Sequence, residues 1–457
     1  FDGEQYDFIA ELNYKFDWGT FTSTTSFDHF EFRSNFDSEQ SALALTQFKD
    51  RQESDAFAQE VRLTSTSDGD FNWMAGAYYY DNDFVRGSLD PNKPMFVLGP
   101  DIGPAPQPGA AGDKAMYRSS NDTRHWSVFA QGDWQLAPRY VFSAGARFID
   151  ETKAIDARSA LQVAALPSLA SALTVPVPIV AERSTDGVAW NASLRFDASD
   201  NTNLYVTTGR GFKAGGYNGD WDPAGTLTAA RREFADEIVM TTEVGMKSRL
   251  DSGSINVSVF HSKFDDFQNA SFLGTSFLVR NAESVTTKGV EIDGDFRPTR
   301  WLSLDYSVAY LDSQYDKFTS APCYFGRAPN NPAEGTCNLS GRDIPNASEW
   351  RTNLGVRVET AMAGGTAFFR TDLFQSSEQN TNGSLDPRSR QGSYDLISAR
   401  IGWSNERYRV IFWGENLGDT VVLNASAPQT LFGGIDGGLQ QFLNDPTTYG
   451  INFEIKF

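Results

Sequence analysis

The sequence predicts an all-β protein that crosses a membrane as an antiparallel β-barrel. Apolar and polar residues alternate in recurring segments of roughly 10–13 residues, a length that lets a tilted strand span a bilayer. The connections between these segments fall into a short and a long class. The chain also ends on such a segment, residues 449–457. Because successive side chains of a strand point to opposite faces, each segment has one apolar and one polar face.

The last segment shows the pattern most clearly. Its apolar positions are Tyr449, Ile451, Phe453, Ile455 and Phe457, and the residues between them are small or polar. A soluble domain commonly ends in a frayed polar tail, whereas this chain ends on an aromatic residue. An alternating strand with aromatic ends is typical of a transmembrane barrel.

The same alternation recurs along the chain. Further segments lie at residues 6–16, 126–136, 188–197, 302–310 and 353–359. Strands of soluble proteins are usually about 5–6 residues long, so these segments favour the membrane barrel over a sandwich. On their polar sides lie five arginines that are expected to pair with carboxylates of the lumenal face or with residues inside the barrel: Arg62, Arg147, Arg195, Arg357 and Arg400.

The two classes of connection alternate. Short, turn-like stretches rich in Asp, Asn, Gly and Pro lie near residues 17–19, 67–70, 137–139, 199–202, 250–253, 298–300, 361–364 and 404–406. Long stretches occupy residues 31–54, 85–123, 152–186, 214–235, 314–347, 377–392 and 418–447. Outer-membrane barrels have short periplasmic turns and long extracellular loops. Strands placed between these connections number about 17, and single-chain bacterial barrels have even numbers, so we expect N-terminal strands outside this chain.

Composition excludes some partners. The formal net charge is -20, and a phosphate-rich nucleic acid needs clustered Lys and Arg, so we expect no nucleic-acid partner. No apolar run approaches the roughly 18 residues of a membrane helix, but barrel strands hide their lipid face at every second residue.

The two cysteines, Cys323 and Cys337, lie in one polar stretch that is rich in Pro and Asn. An even number within one loop favours a disulfide formed in an oxidising compartment. Unpaired thiols or half of a metal site are the alternatives, but no CxxC and no nearby His supports a metal.

Six segments resemble strands and turns of TonB-dependent outer-membrane receptors. Two match the family's patterns F-x-Q-E-x-R-L-x-S (57–65) and G-x-R-[YF]-x-x-E-x-K (145–153). A third, Gly-Phe-Lys-Ala-Gly-Gly-Tyr-Asn at 211–218, resembles the segment at a strand's outer end. The others lie at 243–247, 288–294 and 416–420, and the last is followed by Val421 and Val422, where the family usually has an aromatic residue. The motifs appear in the family's order over nearly the whole chain.

This resemblance implies a function in transport. The family has about 22 strands around a folded plug, so this chain is expected to hold the barrel portion, residues 1–457, without the plug and about five strands. The family imports scarce ligands through the outer membrane of Gram-negative bacteria, and periplasmic TonB drives this import by acting on the plug. The implied cargo is a ferric siderophore first, with haem, cobalamin or an oligosaccharide as alternatives.

Ligand contact is expected where a strand becomes a long loop. Arg210, Lys213, Tyr217, Asn218 and Trp221 cluster there. Cationic side chains pair with carboxylate, catecholate or phosphate groups, and aromatic rings stack on planar ligands or sugars. The alternative is that the tyrosine and tryptophan form an interfacial girdle or pack the loop. Arg231 and Arg232 are a second basic pair, which binds lipopolysaccharide phosphate or the ligand, or is simply solvated.

Two other functions stay open, a passive porin-like channel and an outer-membrane lipase. The sequence contains no G-x-S-x-G elbow, and no pattern of catalytic or metal-binding histidines, so we predict no enzyme, no cofactor and no metal. His29 is the one mild catalytic candidate. The glycines at 433–438 lack the Lys-Ser/Thr of a phosphate loop and are interpreted as a loop tip.

Overall fold

The computed structural model describes residues 2–37, 46–66, 69–98, 114–162, 178–220, 232–272, 277–428 and 438–456. These residues form 26 β-strands and one three-residue 3-10 helix, Pro387–Ser389. None of the helices among the described residues is long and apolar enough to cross a membrane.

In chain order the strands are β1 (Asp2–Phe16), β2 (Gly19–Asp37), β3 (Thr46–Ser65), β4 (Phe71–Ser88), β5 (Phe96–Leu98), β6 (Lys114–Ala137), β7 (Tyr140–Gln162), β8 (Ile179–Ser199), β9 (Thr202–Lys213), β10 (Gly216–Tyr217), β11 (Glu233–Phe234), β12 (Glu237–Leu250), β13 (Gly253–Phe272), β14 (Phe277–Thr299), β15 (Leu302–Lys317), β16 (Ala321–Pro322), β17 (Thr336–Cys337), β18 (Trp350–Met362), β19 (Gly365–Ser376), β20 (Gln379–Asn380), β21 (Arg390–Gln391), β22 (Tyr394–Ser404), β23 (Tyr408–Glu415), β24 (Leu423–Pro428), β25 (Leu439–Leu443) and β26 (Thr448–Ile455).

Seventeen of these strands form one antiparallel sheet in which each pairs with its neighbours in sequence. They are β1–β4, β6–β9, β12–β15, β18, β19, β22, β23 and β26. The short β5 joins the edge between β3 and β6. The other short strands make two-stranded pairs within the connections. The predicted all-β, antiparallel fold with about 17 strands is confirmed.

The sheet has two chemically different faces. Directly paired residues of antiparallel strands share a face, and Val61 pairs with Ala77, which pairs with Val128. Val61 and Val128 are 37% and 47% exposed, although both are apolar. Their chain neighbours, such as Arg62, lie on the opposite face. We call these the apolar face and the polar face.

The connections are segregated between the two ends of the sheet. One end holds short turns, such as Ala363-Gly364 between β18 and β19. Both residues of this turn have positive φ, 51° and 71°, which is the type I′ geometry that matches the twist of a hairpin. The other end holds the long connections, and we call it the mouth.

Two expectations about the strands need correction. Residues 31–37 and 46–54, predicted as loop, belong to β2 and β3, and β6 reaches 24 residues, well beyond the predicted segments. Near the mouth the apolar positions of β2 move to the other face, at Phe32 and Phe36, and β3 is polar on both faces at residues 49–54. The pattern of a lipid-facing strand is therefore lost while the hydrogen bonds continue. The connection between β13 and β14 is also short, residues 273–276, which breaks the strict alternation of loop lengths.

Candidate functional site

The arginines of the polar face are largely neutralised within the wall. Four of the five pair with carboxylates, as predicted: Arg62–Glu60 at 3.1 Å, Arg195–Asp197 at 3.1 Å, Arg357–Glu359 at 2.9 Å and Arg400–Glu415 at 3.9 Å. Arg147 instead lies over the rings of Tyr78 and Phe129, with its guanidinium carbon 5.4 and 5.5 Å from the centroids. A guanidinium over an aromatic face is attracted by the ring quadrupole.

Arg210 lies where two strands separate. The last pair between β8 and β9 is Trp190 with Arg210, beyond which β8 continues beside β7 and β9 beside β12. Nη1 of Arg210 donates to the carbonyl of Val188. The Phe212 ring lies against Gly187, where an added Cβ would be 2.7 Å from the ring. These contacts bridge the separation of the two strands.

The segment after β9 folds back onto the polar face of the strands at the mouth. We call residues 214–220 and 232–237 the returning segment. Its Tyr217 packs against a cluster of buried apolar side chains, which we call the first core: Met95, Ala115, Tyr117, Ile155, Ala157 and Ile179. The first core therefore joins the mouth ends of β6, β7 and β8 to the returning segment.

Ion pairs hold the returning segment to the strands. Arg86 on β4 bonds Asp50 on β3 at 2.9 Å and also contacts Asp220. The side chain of Asp50 is 8% exposed and that of Arg86 is 23% exposed, so both charges are largely withdrawn from water. A buried pair of this kind is costly to break, because it leaves the remaining charge unpaired.

A second set of charges holds residues 232–237, the second part of the returning segment. Arg183 on β8 contacts Glu233 at 2.7 Å and Asp236 at 3.0 Å. Asp236 also accepts from the amide of Gly215 at 2.7 Å. Burial alone would raise the pKa of Asp236, but the Gly215 and Thr185 hydrogen bonds and the Arg183 guanidinium hold it below its ordinary value.

Arg232 lies inside this network. It is 1% exposed, and its Nη1 donates to the carbonyls of Asn218 at 2.9 Å and Asp220 at 2.6 Å. The expectation that this residue is simply solvated is therefore wrong, because its side chain is buried and stabilises the returning segment from within.

Side-chain amides join the returning segment to the tops of β13 and β14. Asn218 accepts from the amide of Val279 at 2.6 Å and donates to its carbonyl at 3.0 Å, as a backbone peptide would. Asn281 makes the same two-way contact with Ala235 at 2.7 and 3.0 Å. Gln268 donates to the carbonyls of Ala214 and Ala235, one in each part of the returning segment. The sheet's hydrogen bonding is extended by these amides into the mouth.

The connection after β15 has a core of its own, which we call the second core. It is formed by Ala282, Val285, Tyr315, Phe318, Ala321 and Leu339, each at most 1% exposed. The predicted disulfide Cys323–Cys337 is present, and it closes the outer part of this connection. Tyr315 donates its hydroxyl to Asn269 Oδ1 at 2.9 Å.

The last two long connections are held together by polar groups. Thr381 donates to the carbonyl of Ser389 and contacts the hydroxyl of Ser426 at 3.1 Å. Asn382 donates to the carbonyl of Ser426 at 2.9 Å. Asp386, 2% exposed, accepts from Arg388.

The structure places the predicted ligand residues as follows. Lys213 is the most accessible, with a side chain 59% exposed and its Nζ 3.8 Å from Glu237. Arg210 and Asn218 are engaged by backbone groups, and Tyr217 packs on the first core. Trp221, Arg231 and the glycines at 433–437 lie outside the described residues. Ligand contact at these positions stays a prediction.

The histidines make no catalytic arrangement within the described residues. His29 pairs with Asp55 at 2.8 Å and His125 with Glu151 at 3.0 Å, and neither is hydrogen-bonded to a serine hydroxyl there. No group of three or more His, Cys, Asp or Glu that could hold a metal occurs in that part of the chain.

Sequence reasoning missed the charges that build the mouth. Arg86 and Asp220 are 134 residues apart, and Arg183 is 50 residues from Glu233. Spacing along a chain carries no signal for pairs this distant. Asn218 was found only through the Gly-Gly-Tyr-Asn motif, whose physical content is this amide contact.

A family model described as TonB-dependent receptor-like β-barrel matches residues 1–417. The chain belongs to this family. Its members are receptors and transporters. Because the family's fold is a β-barrel with an apolar outside, the polar face is the inner wall and the apolar face is the outer wall.

Solved structures agree on the fold. The chain is similar to the ferric yersiniabactin uptake receptor FyuA from Yersinia pestis, at 16% identity and a TM-score of 0.77, over 99% of this chain and 61% of that one. It is similar to the copper transporter OprC at 12% and 0.70, over 100% and 66%. It is also similar to the siderophore receptor PiuA from Acinetobacter baumannii at 14% and 0.69, over 98% and 64%. The chain spans less than two thirds of each of these proteins.

Proposed function

We propose that this chain is the barrel portion of an outer-membrane receptor that imports a scarce small molecule, a ferric siderophore first, under the drive of TonB. The observation that carries the proposal is the family match over residues 1–417 on a sheet with an apolar outer and a polar inner wall. The solved neighbours span longer chains, which supports the proposal that the full-length protein also has a plug, about five further strands and a TonB contact.

The mouth supports receptor function over free diffusion. Two loop regions fold inward onto the polar face and bury their own cores there. Ligands gain affinity when the groups that contact them are already ordered, because less conformational entropy is lost on binding. A wide passive channel needs no such order at its entrance.

Among the predicted ligand residues, the geometry favours Lys213 as the charged contact. Its ammonium is the one with most freedom to leave its carboxylate, Glu237 at 3.8 Å, for an anionic ligand. Tyr217 and Asn218 follow it in the returning segment, and Trp221 comes after them in sequence. Arg210 pairs with Met240, which is 38% exposed on the apolar face, so Arg210 is on the face of β9 opposite Lys213. The neighbours include a copper transporter, so copper is the second cargo to test.

Uptake of ferric siderophores in a receptor-deleted strain, complemented with the full-length gene, tests the proposal. We expect accumulation that disappears in cells without TonB. Replacing Lys213→Ala should weaken ligand binding about tenfold, the loss of one charge-assisted contact. Lys247→Ala, on the polar face near the short-turn end, is the matched control and should bind normally.

Persistent uptake without TonB would overturn the importer. Steady ion conductance by the purified full-length protein in planar bilayers would establish the passive channel instead. The intact mass of the protein from outer membranes tests the plug: a mass some tens of kDa above the 50.5 kDa of this chain is expected.

A further inference from the structure

A row of arginines crosses the outer wall near the mouth. Arg33 on β2 lies directly opposite Arg51 on β3, and Arg118 on β6 lies directly opposite Arg158 on β7. Between the two pairs β4 contributes Gly87, which pairs with Arg118 and has no side chain. The register of β3 and β4, in which Gln52 pairs with Arg86, brings Arg51 beside Gly87. The four arginines therefore form one row across the sheet.

Alternation along the strands places this line on the outer wall. Arg51 is six residues from Phe57, and Arg118 is eight residues from Trp126, so each shares the face of that aromatic residue. No register shift interrupts either stretch. Trp126 is 44% exposed on the apolar face. The arginine row is thus a continuation of the wall that faces lipid.

The row lies beyond the apolar part of that wall. Six to eight residues at about 3.3 Å each put it roughly 20–26 Å along the strands from the aromatic side chains. With the tilt of barrel strands, about 40°, the height above the aromatic band is roughly 15–20 Å. Groups at this height meet the polar surface of a membrane rather than its hydrocarbon.

The electrostatics of the row are unbalanced at its centre. Arg33 forms a salt bridge with Glu31, and Arg158 forms one with Asp156 at 2.7 Å. Each partner is two residues away on the same strand. Arg51 and Arg118 make no salt bridge of 4.0 Å or less among the described residues, although Asp156, the partner of Arg158, also attracts Arg118. Like charges directly opposite each other destabilise a sheet, so an anion that bridges them relieves a cost built into the fold.

Carboxylates occupy the wall between the arginines and the lipid band. One row holds Glu4, Glu31 and Glu53, and the next holds Asp55, Asp83 and Asp122. These rows repel anions close to the hydrocarbon. An anionic partner is therefore expected to bind at the height of the arginines. The central two, Arg51 and Arg118, are two strand spacings apart, or roughly 9.5 Å.

We propose that this row binds phosphate groups carried on the sugars of the outer-leaflet glycolipid. Guanidinium groups bind phosphate oxygens in bidentate geometry, and the chain's net charge of -20 offers little else to attract such groups. Phosphates on sugars stand above the hydrocarbon boundary, as the arginines do. The proposal rests on the outer-membrane location given under the proposed function.

Titration of the detergent-solubilised full-length protein with lipopolysaccharide tests this surface, with native mass spectrometry as the readout. We expect the double variant Arg51→Gln/Arg118→Gln to bind glycolipid with a phosphorylated core at least tenfold more weakly than the wild type. A glycolipid with phosphates on lipid A alone should bind both proteins equally weakly. Rising salt should weaken the wild type more than the variant, because fewer charges remain to be screened.

The matched control is Arg62→Gln/Arg147→Gln, the same change of charge on the inner wall, and it should bind as the wild type does. Heat-modifiable migration on gels shows whether each variant is a folded barrel. Wild-type binding by the folded Arg51/Arg118 variant, or an equal loss in the inner-wall control, would overturn the proposal. If the first double variant does not fold, Arg118→Gln alone gives the same comparison.

The glycolipid titration is independent of transport. Uptake that persists without TonB would end the importer proposal and leave the glycolipid result unaffected. Normal TonB-dependent uptake with no difference in glycolipid binding would end the present proposal alone.

Discussion

The two cores of the mouth are covered by connections that are held in place by different chemistry. The first core lies under the returning segment, which is held by Arg86, Arg183 and their carboxylates. The second core lies under a connection closed by the disulfide Cys323–Cys337 and is purely apolar apart from one tyrosine hydroxyl. A charge-held loop responds to pH and to ligand charge, whereas a covalently closed loop does not. The part of the mouth next to Lys213 is therefore the part that can respond to an anionic ligand.

The largest effect is expected from Arg86→Met. The substitution leaves Asp50, 6% exposed, without its cation, and breaking a buried pair costs about 3–5 kcal/mol. The partial exposure of Arg86 puts the expected cost at the lower end. Hydrogen exchange should show the returning segment opening while residues 315–340 stay protected.

Arg124→Met is the control for that variant. Arg124 also faces an aspartate, Asp81 at 4.0 Å, but its side chain is 73% exposed. Exposed pairs contribute roughly 0–1 kcal/mol, so little change in exchange is expected. Equal opening in both variants would show that the charge pair does not hold the segment.

Removing the disulfide should affect only the second core. In the chain-entropy model a loop of about 15 residues is restricted by roughly 3 kcal/mol, so Cys323→Ser/Cys337→Ser should expose residues 323–337 to proteases. Tyr315, Phe318 and Leu339 remain buried without it, and the base of the connection should resist cleavage. Free-thiol labelling of the unreduced, unfolded wild type checks the bond itself, and reaction at both cysteines would refute it.

The sequence predicted the wall better than the mouth. Period 2 identified the strands because one face meets lipid, and the pair of cysteines identified the disulfide because one loop holds both. The pattern predicts loop for the upper parts of β2 and β3, because Glu31, Arg33 and Arg51 put charge on the face that is apolar nearer the short turns. The returning segment depends on partners such as Arg86 and Asp220, which only the folded register brings together.

A smaller effect is expected from Tyr315→Phe in the second core. The ring stays, but its hydrogen bond to Asn269 is lost, and the buried amide oxygen loses its donor at a cost of about 1–2 kcal/mol. Exchange should quicken slightly around residues 269 and 315. The returning segment should be unaffected, because its contacts do not include this hydroxyl. A change confined to the first core would mean that the two cores are coupled through the amides of Gln268 and Asn281.

Lowering the pH should have the smallest effect, and it should change the stability of the returning segment without changing that of the disulfide-closed connection. The folded pKa of Asp236 is below its ordinary value of about 3.9, so its stabilisation is present above that pH and is lost as the pH falls through the folded pKa. Below about pH 4 the protection of the Gly215 amide, its exchange rate relative to the intrinsic rate at the same pH, should therefore fall, while the disulfide-closed connection keeps its protection. Asp236→Asn removes the titration, so the protection of Gly215 should no longer change with acid in this range. An acid step that survives in this variant would assign the response to another carboxylate, and Glu233, which shares Arg183, is the next to replace.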